Sequence, residues 1–154
     1  MSIDLRKELS ILLEKSYDTV IIRRMSDIKC NCWRIKSLTP DPECPNCEGS
    51  GYIYNEHLVT CKMFSAPSFS ISHAQDFDYG VSYSNTYVLY FNVTDLTDSI
   101  SIEDLIYELK IKQNGEPVDP IIRTKSLKVI DSYRMNLDDG GRELVKVYAK
   151  PMVV

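Results

Sequence analysis

Leu5, Leu9, Leu12 and Leu13 recur at helical spacing near the start of the chain, with Lys7, Glu8, Glu14 and Lys15 mostly on the opposite face. Ser2 is a fair N-cap, and Asp4 falls in the first turn, where a carboxylate meets the positive end of the helix dipole. The pattern predicts an amphipathic helix over residues 3–15, whose apolar stripe must bury itself against the same subunit or a neighbour. The period then changes. Residues 18–24 are β-branched and end in charge, which reads as a strand, and residues 52–54 with the alternating stretch 58–64 predict a second strand region. Residues 65–85 mix serines with Phe69, Phe77, Tyr79 and Tyr83 and lose all periodicity; a loop of that length in a compact domain is usually functional. Residues 86–91 are apolar on both faces, so a central strand is expected there. A strand over 103–110 leads to Asn114-Gly115, a turn dipeptide that tolerates positive φ, while Pro117 and Pro120 keep the next segment from pairing fully. Residues 127–130 and 143–148 predict a hairpin across Asp138-Asp139-Gly140-Gly141.

Five or six short strands with hairpin connections and no helices between them predict a mainly β fold, a small antiparallel barrel. The organisation is a single domain: an N-terminal helix over residues 1–17, a strand–loop–strand unit over 18–64, a Ser/Tyr-rich loop over 65–85 and barrel strands over 86–154. The 154 residues suffice for one domain with a real core. No apolar run is long enough to cross a bilayer as a helix, and no membrane partner is expected. A net charge of −4 counts against a protein that grips nucleic acid by neutralising phosphates. Tyrosine outnumbers the other aromatics, at 10 against 4 Phe and 1 Trp. That bias suits surfaces that meet protein and equally suits plain sheet faces.

Between the first two strands lie four cysteines, Cys30-Asn-Cys32 and, after eleven residues, Cys44-Pro-Asn-Cys47, followed by Glu48-Gly49-Ser50-Gly51. Two thiol pairs on a short loop are a way to present four sulfurs to one tetrahedral Zn²⁺. Four thiolates fill the coordination shell, so such an ion holds structure and does not catalyse. Pro45 stiffens the second pair, and the glycines allow a tight return that lets backbone N–H groups donate to sulfur. The single residue inside the first pair limits how both of its sulfurs converge on one ion. A disulfide between the pairs, or a redox-active dithiol, remains open; the disulfide needs an oxidising compartment, and no secretory segment is expected from the N-terminal residues. Cys61 follows an alternating stretch and is expected to be a buried thiol. His57 and His73 are weaker substitute ligands.

Acid–base or nucleophilic chemistry is hard to assemble. There is no G-x-S-x-G, no phosphate-binding glycine loop and no H-E-x-x-H, and the acidic pairs Asp76/Asp78 and Asp95/Asp98 sit in turn-like contexts where carboxylates cap or solvate. An enzyme is not expected.

The segment from Val20 to Tyr52, a strand, then Cys-x-Cys-Trp, a loop, and Pro-Asp-Pro-x-Cys-Pro-x-Cys-x-Gly-x-Gly-Tyr, resembles the amino-terminal half of neck proteins of tailed bacteriophages. Asp104-Leu105-Ile106-x-Glu108, Gly115-x-Pro117 and Gly141-Arg142-Glu143 with a closing strand are similar to the barrel of stopper-type connectors. The resemblance implies a structural virion protein: a homo-oligomeric ring between portal or adaptor and the tail or tail-terminator proteins, closing the DNA-filled head. It would be assembled in the bacterial host cytoplasm and located in the virion neck. Packaged DNA would lie close by, and the Asp138-Asp139 turn could face it without gripping. A ring subunit uses two unlike patches; Leu5, Leu9 and Leu12 of the helix and Tyr79 and Tyr83 of the loop are the expected interface residues. Two other readings stay open: a zinc-ribbon or small-barrel nucleic-acid binder, and a chaperone-like zinc module, since Cys-x-x-Cys-x-Gly-x-Gly also resembles the repeat of DnaJ-type zinc domains.

Overall fold

In the computed structural model the described residues are 18–65, 86–114, 116–136 and 143–152. They form six strands: β1 (Asp18–Lys29), β2 (Tyr52–Ser65), β3 (Tyr87–Asn92), β4 (Leu105–Leu109), β5 (Arg123–Asn136) and β6 (Glu143–Pro151). All neighbours pair antiparallel, and the order β1-β2-β3-β6-β5-β4 closes on itself as a barrel. The expected barrel is therefore present. The helix expected over residues 3–15, with Leu5, Leu9 and Leu12, lies outside the described residues. So do Tyr79, Tyr83, His73 and the Asp138-Asp139 turn.

Alternation along each strand decides what fills the barrel. Val20 and Ile22 point inward with Cys61, Leu89, Phe91, Ile106, Leu127, Val129, Val145, Val147 and Ala149, so every strand contributes to one core. The intervening residues face outward and gather in two smaller buried groups, Val88, Tyr90, Leu144 and Tyr148 on one side and Ile21, Tyr107 and Leu109 on another. This explains why residues 86–91 read as apolar on both faces: Leu89 and Phe91 go in, Val88 and Tyr90 go out, and both sides are covered.

The expectation of no helix between strands needs correcting. A short helix, α1 (Asp95–Asp98), joins β3 to β4, held by a capping box in which Thr94 accepts from the Thr97 N–H and Thr97 accepts from the Thr94 N–H. It delivers Ile100 into the barrel core. Strand bounds also differ: 103–110 shortens to β4, and 127–130 is the middle of the fourteen-residue β5, which runs against β6 through a register shift at Val129/Asp131. Pro117 and Pro120 sit in the β4–β5 connection, as their missing donors require.

Two arginines fix the end of the barrel from which the cysteine loop projects. Arg24 makes a bidentate bond to the buried Asp104 (2.9 and 2.6 Å) and also donates to the Ser99 hydroxyl and carbonyl, binding β1 to α1 and the start of β4. Beyond it the β1–β2 ladder slips: Met25 pairs with Tyr54 and Lys29 with Tyr52, so Ser26, Asp27 and Ile28 stand opposite Ile53 alone. The Ser26 hydroxyl donates to the Ile53 carbonyl at 2.6 Å and accepts from the Ile28 N–H. Such a bulge bends the ribbon, and the bend comes immediately before Cys30.

Candidate metal centre

Residues 30–51 form a finger at the end of that ribbon. Its base is closed by the Cys30 N–H donating to the Gly51 carbonyl (2.8 Å). Trp33 folds back over the same carbonyl, its Nε1–H donating to Gly51 O at 2.6 Å, and packs edge-on to Tyr52. Gly51 has φ 79°, and a Cβ there would lie 2.8 Å from the Trp33 ring; Gly49 has φ 82°, and a Cβ there would meet the Pro42 carbonyl at 2.9 Å. These two positions need glycine for both reasons at once, left-handed backbone and lack of room.

The turns bring the four sulfurs together. Sγ of Cys30 lies 3.7 Å from Sγ of Cys44, Sγ of Cys32 lies 3.4 Å from Sγ of Cys47, and all four fall within 4.8 Å of one another. Zn–S bonds of about 2.3 Å in a tetrahedron place sulfurs about 3.8 Å apart, so the spacing suits one ion. No disulfide joins any of the cysteines. The single residue between Cys30 and Cys32 does not prevent convergence, because each takes a different member of the second pair as neighbour. Four cysteines thus form a cluster that could hold a metal ion such as zinc. Among the described residues it is the only such group of His, Cys, Asp and Glu side chains. His57 sits exposed on β2 opposite Ile22, and Cys61 lies in the barrel core, where burial pushes its thiol up.

Backbone donors tune the sulfurs. The Asn46 and Cys47 N–H groups point at the Cys44 sulfur and lower its pKa to about 7. Desolvation raises Cys32 to about 12, against a backbone bond from Asp41 that lowers it. Thiolates this close repel one another, so four of them are not held together by the protein's own donors alone. A divalent cation removes that conflict and displaces the protons.

A link the sequence did not suggest is Arg23. It lies on the outer face of β1, yet is 8% exposed. Its guanidinium donates to both carboxylate oxygens of Glu48 (3.2 and 3.0 Å) and to the Tyr107 hydroxyl of β4 (3.1 Å), pairs with Glu56 of β2 at 3.6 Å, and stacks 4.0 Å from the Tyr54 ring centre. Glu48 follows the last cysteine directly and has φ 49°. The finger is therefore clamped to the barrel wall through the residue next to a sulfur. Sequence spacing alone hides this, because Glu48 and Tyr107 are 25 and 84 positions from Arg23; an acidic residue set in the tight return after Cys47 was the available signal.

The far end of the finger is different. Arg34 and Thr39 form an isolated bridge that pinches a turn, and it holds Ile35 and Leu38 in solvent at 93% and 76% exposure. Leu38 has φ 52°, a left-handed conformation costing a non-glycine residue about 1–2 kcal/mol.

No protein-family model matches the chain, and no curated protein matches it.

Proposed function

We propose that the chain is a structural subunit of a tailed-bacteriophage neck, forming a ring that joins portal or adaptor to the tail and closes the filled head. The observation that carries this reading is the four-sulfur cluster at the root of a finger clamped to a closed barrel by Arg23. A Cys₄ shell leaves no coordination position for water, so a Zn²⁺ held there shapes the protein and activates nothing. A closed barrel has no free sheet edge through which copies could add to one another. Assembly contacts then fall to projecting parts, and a finger too small for its own apolar core needs a metal to be a firm one. The barrel motifs around Asp104–Glu108 and Gly115–Pro117 add the resemblance to connector proteins.

Protein purified without chelator should contain about one zinc per chain. The chain should also co-purify with virions and account for ring density between head and tail in an electron-microscopy map; particles that lack it sink the reading. A second reading has one specific observation behind it: Lys29 at the root of the finger and Arg34 and Lys36 on it lie within eight residues of one another along the chain. A nucleic-acid-binding zinc ribbon would bind DNA with a steep dependence on salt.

A further inference from the structure

The finger tip carries charge as well as exposed apolar side chains. Between Arg34 and Thr39 the tip holds two cations, Arg34 and Lys36, and no carboxylate. Arg34 pairs with Asp41, and Lys29 lies over the Trp33 ring, but Lys36 has no ion-pair partner among the described residues. It stands between Ile35 and Leu38. Leu38 keeps a branched side chain in left-handed backbone, without any burial to offset the strain. The turn's own hydrogen bonds, Leu38 N–H to Arg34 O and Arg34 N–H to Thr39 O, hold that conformation and keep the side chain turned out.

Apart from Met25, Ile28, Ile53 and Leu58 on the β1–β2 ribbon that carries the finger, and Tyr133 on β5, the described residues leave two exposed apolar positions that could receive this tip. Ile111, Ile121, Ile122 and Met152 lie at the barrel end opposite the finger. Lys110 and Lys112 share that connection with Glu116 and Asp119, and Arg123 and Lys125 are paired with Glu56 and Glu108, so the patch is close to neutral and offers a cationic tip no net attraction. The other is the corner that Arg24 organises. There Ile102 is 62% exposed next to Glu103 in the chain, while Asp95 lies in the first turn of α1, whose Ser99 cap Arg24 binds; neither carboxylate has an ion-pair partner among the described residues. From Asn92 to Glu108 the chain contains five carboxylates and no Lys or Arg. Charge chooses this corner.

We propose that the finger tip of one copy docks on the α1 corner of a second copy, with Ile35 and Leu38 against Ile102, and Lys36 paired with Glu103 or Asp95. The two surfaces differ, so the contact is head-to-tail: the first copy keeps a free corner and the second a free tip, and closure of the series makes a ring. This deepens the ring reading above by naming its two faces.

The test is sedimentation velocity of the full zinc-loaded chain over a concentration series. Lys36→Glu and Glu103→Lys should each weaken self-association by about tenfold or more, as like charges then meet. Mixing the two variants should restore assembly, because each tip again faces a corner of opposite charge. Leu38→Asn should keep the zinc content and raise or preserve Tm, since asparagine tolerates the left-handed region, while still weakening association; this separates docking from folding. Assembly that survives both charge reversals overturns the pairing and leaves the ring reading standing. A wild-type chain that stays monomeric at every concentration also overturns it, and the connector role is then decided by the presence or absence of the chain in virions.

Discussion

The barrel and the finger reverse each other's logic. In the barrel, apolar side chains from all six strands turn inward, and losing any one leaves the others in contact. In residues 30–51 the buried positions are Cys30, Cys44, Cys47 and Gly51, while Ile35 and Leu38 point into water. One region is held by area removed from solvent, the other by a point where four sulfurs meet. A distributed core fails gradually under substitution, whereas a point constraint fails all at once. The two should therefore come apart under the right treatment, and the single tryptophan, Trp33 at the base of the finger, reports on the second alone.

The largest expected effect is metal removal. Structural zinc supplies on the order of 10 kcal/mol to segments of this kind, more than the finger's few backbone bonds can replace. Chelator should shift Trp33 emission and open the finger to protease, while the β signature in far-ultraviolet circular dichroism stays. Loss of both together would make the barrel depend on the metal. Acidification should act as chelator does, because every sulfur must give up its proton to bind, and affinity falls as the pH drops through the thiol pKa values. The Asn46 and Cys47 N–H groups, which lower the Cys44 pKa to about 7, favour its thiolate and so work against that loss.

The converse comes next. Phe91 is fully buried in the barrel core, and Phe91→Ala should cost about 3–5 kcal/mol. The urea midpoint should fall accordingly, with the zinc content of the still-folded protein unchanged.

The same contrast governs what could be read from the chain. β3 was legible because both of its alternating sets, Leu89/Phe91 and Val88/Tyr90, are apolar and both are buried. The cysteine spacing was legible because four thiols have few other uses in so short a segment. β5 was read as four residues and runs to fourteen, since Lys125, Lys128, Asp131 and Arg134 interrupt its apolar pattern; its length comes from the ladder with β6, which local composition does not encode. Arg23 was invisible for a related reason. Beside Arg24 it resembled ordinary charge at a strand end, and only the fold brings Glu48, Glu56 and Tyr107 around it. The exposed tip escaped as well, because Ile35 and Leu38 look like any apolar pair until their solvent exposure is known.

A smaller perturbation probes the base of the finger without touching a sulfur. Gly51→Ala forces a left-handed alanine, costing about 1–2 kcal/mol, and drives its Cβ into the Trp33 ring, 2.8 Å away. Trp33 emission should change and zinc should leave at lower chelator concentration, with the barrel's urea midpoint nearly unmoved. An unchanged tryptophan signal would mean that the ring does not sit against Gly51.

The smallest effect concerns the joint between the two regions. Glu48 is more than half exposed, so its bond to Arg23 is screened, and Glu48→Gln should change stability by less than about 1 kcal/mol. Arg23 keeps Tyr107, Glu56 and the Tyr54 ring, and the barrel wall has no reason to move. What should change is the finger's freedom. With one neutral bond in place of a bidentate ionic pair, backbone amides of residues 44–51 should exchange with deuterium faster in the zinc-loaded protein, while those of β3 and β6 keep their protection. Arg23→Ala should add little to that local exchange when combined with Glu48→Gln, since both remove the same clamp. Fully additive effects would mean that Arg23 serves the barrel alone and that the bulge at Ser26–Ile28, not the ion pair, sets the direction of the finger.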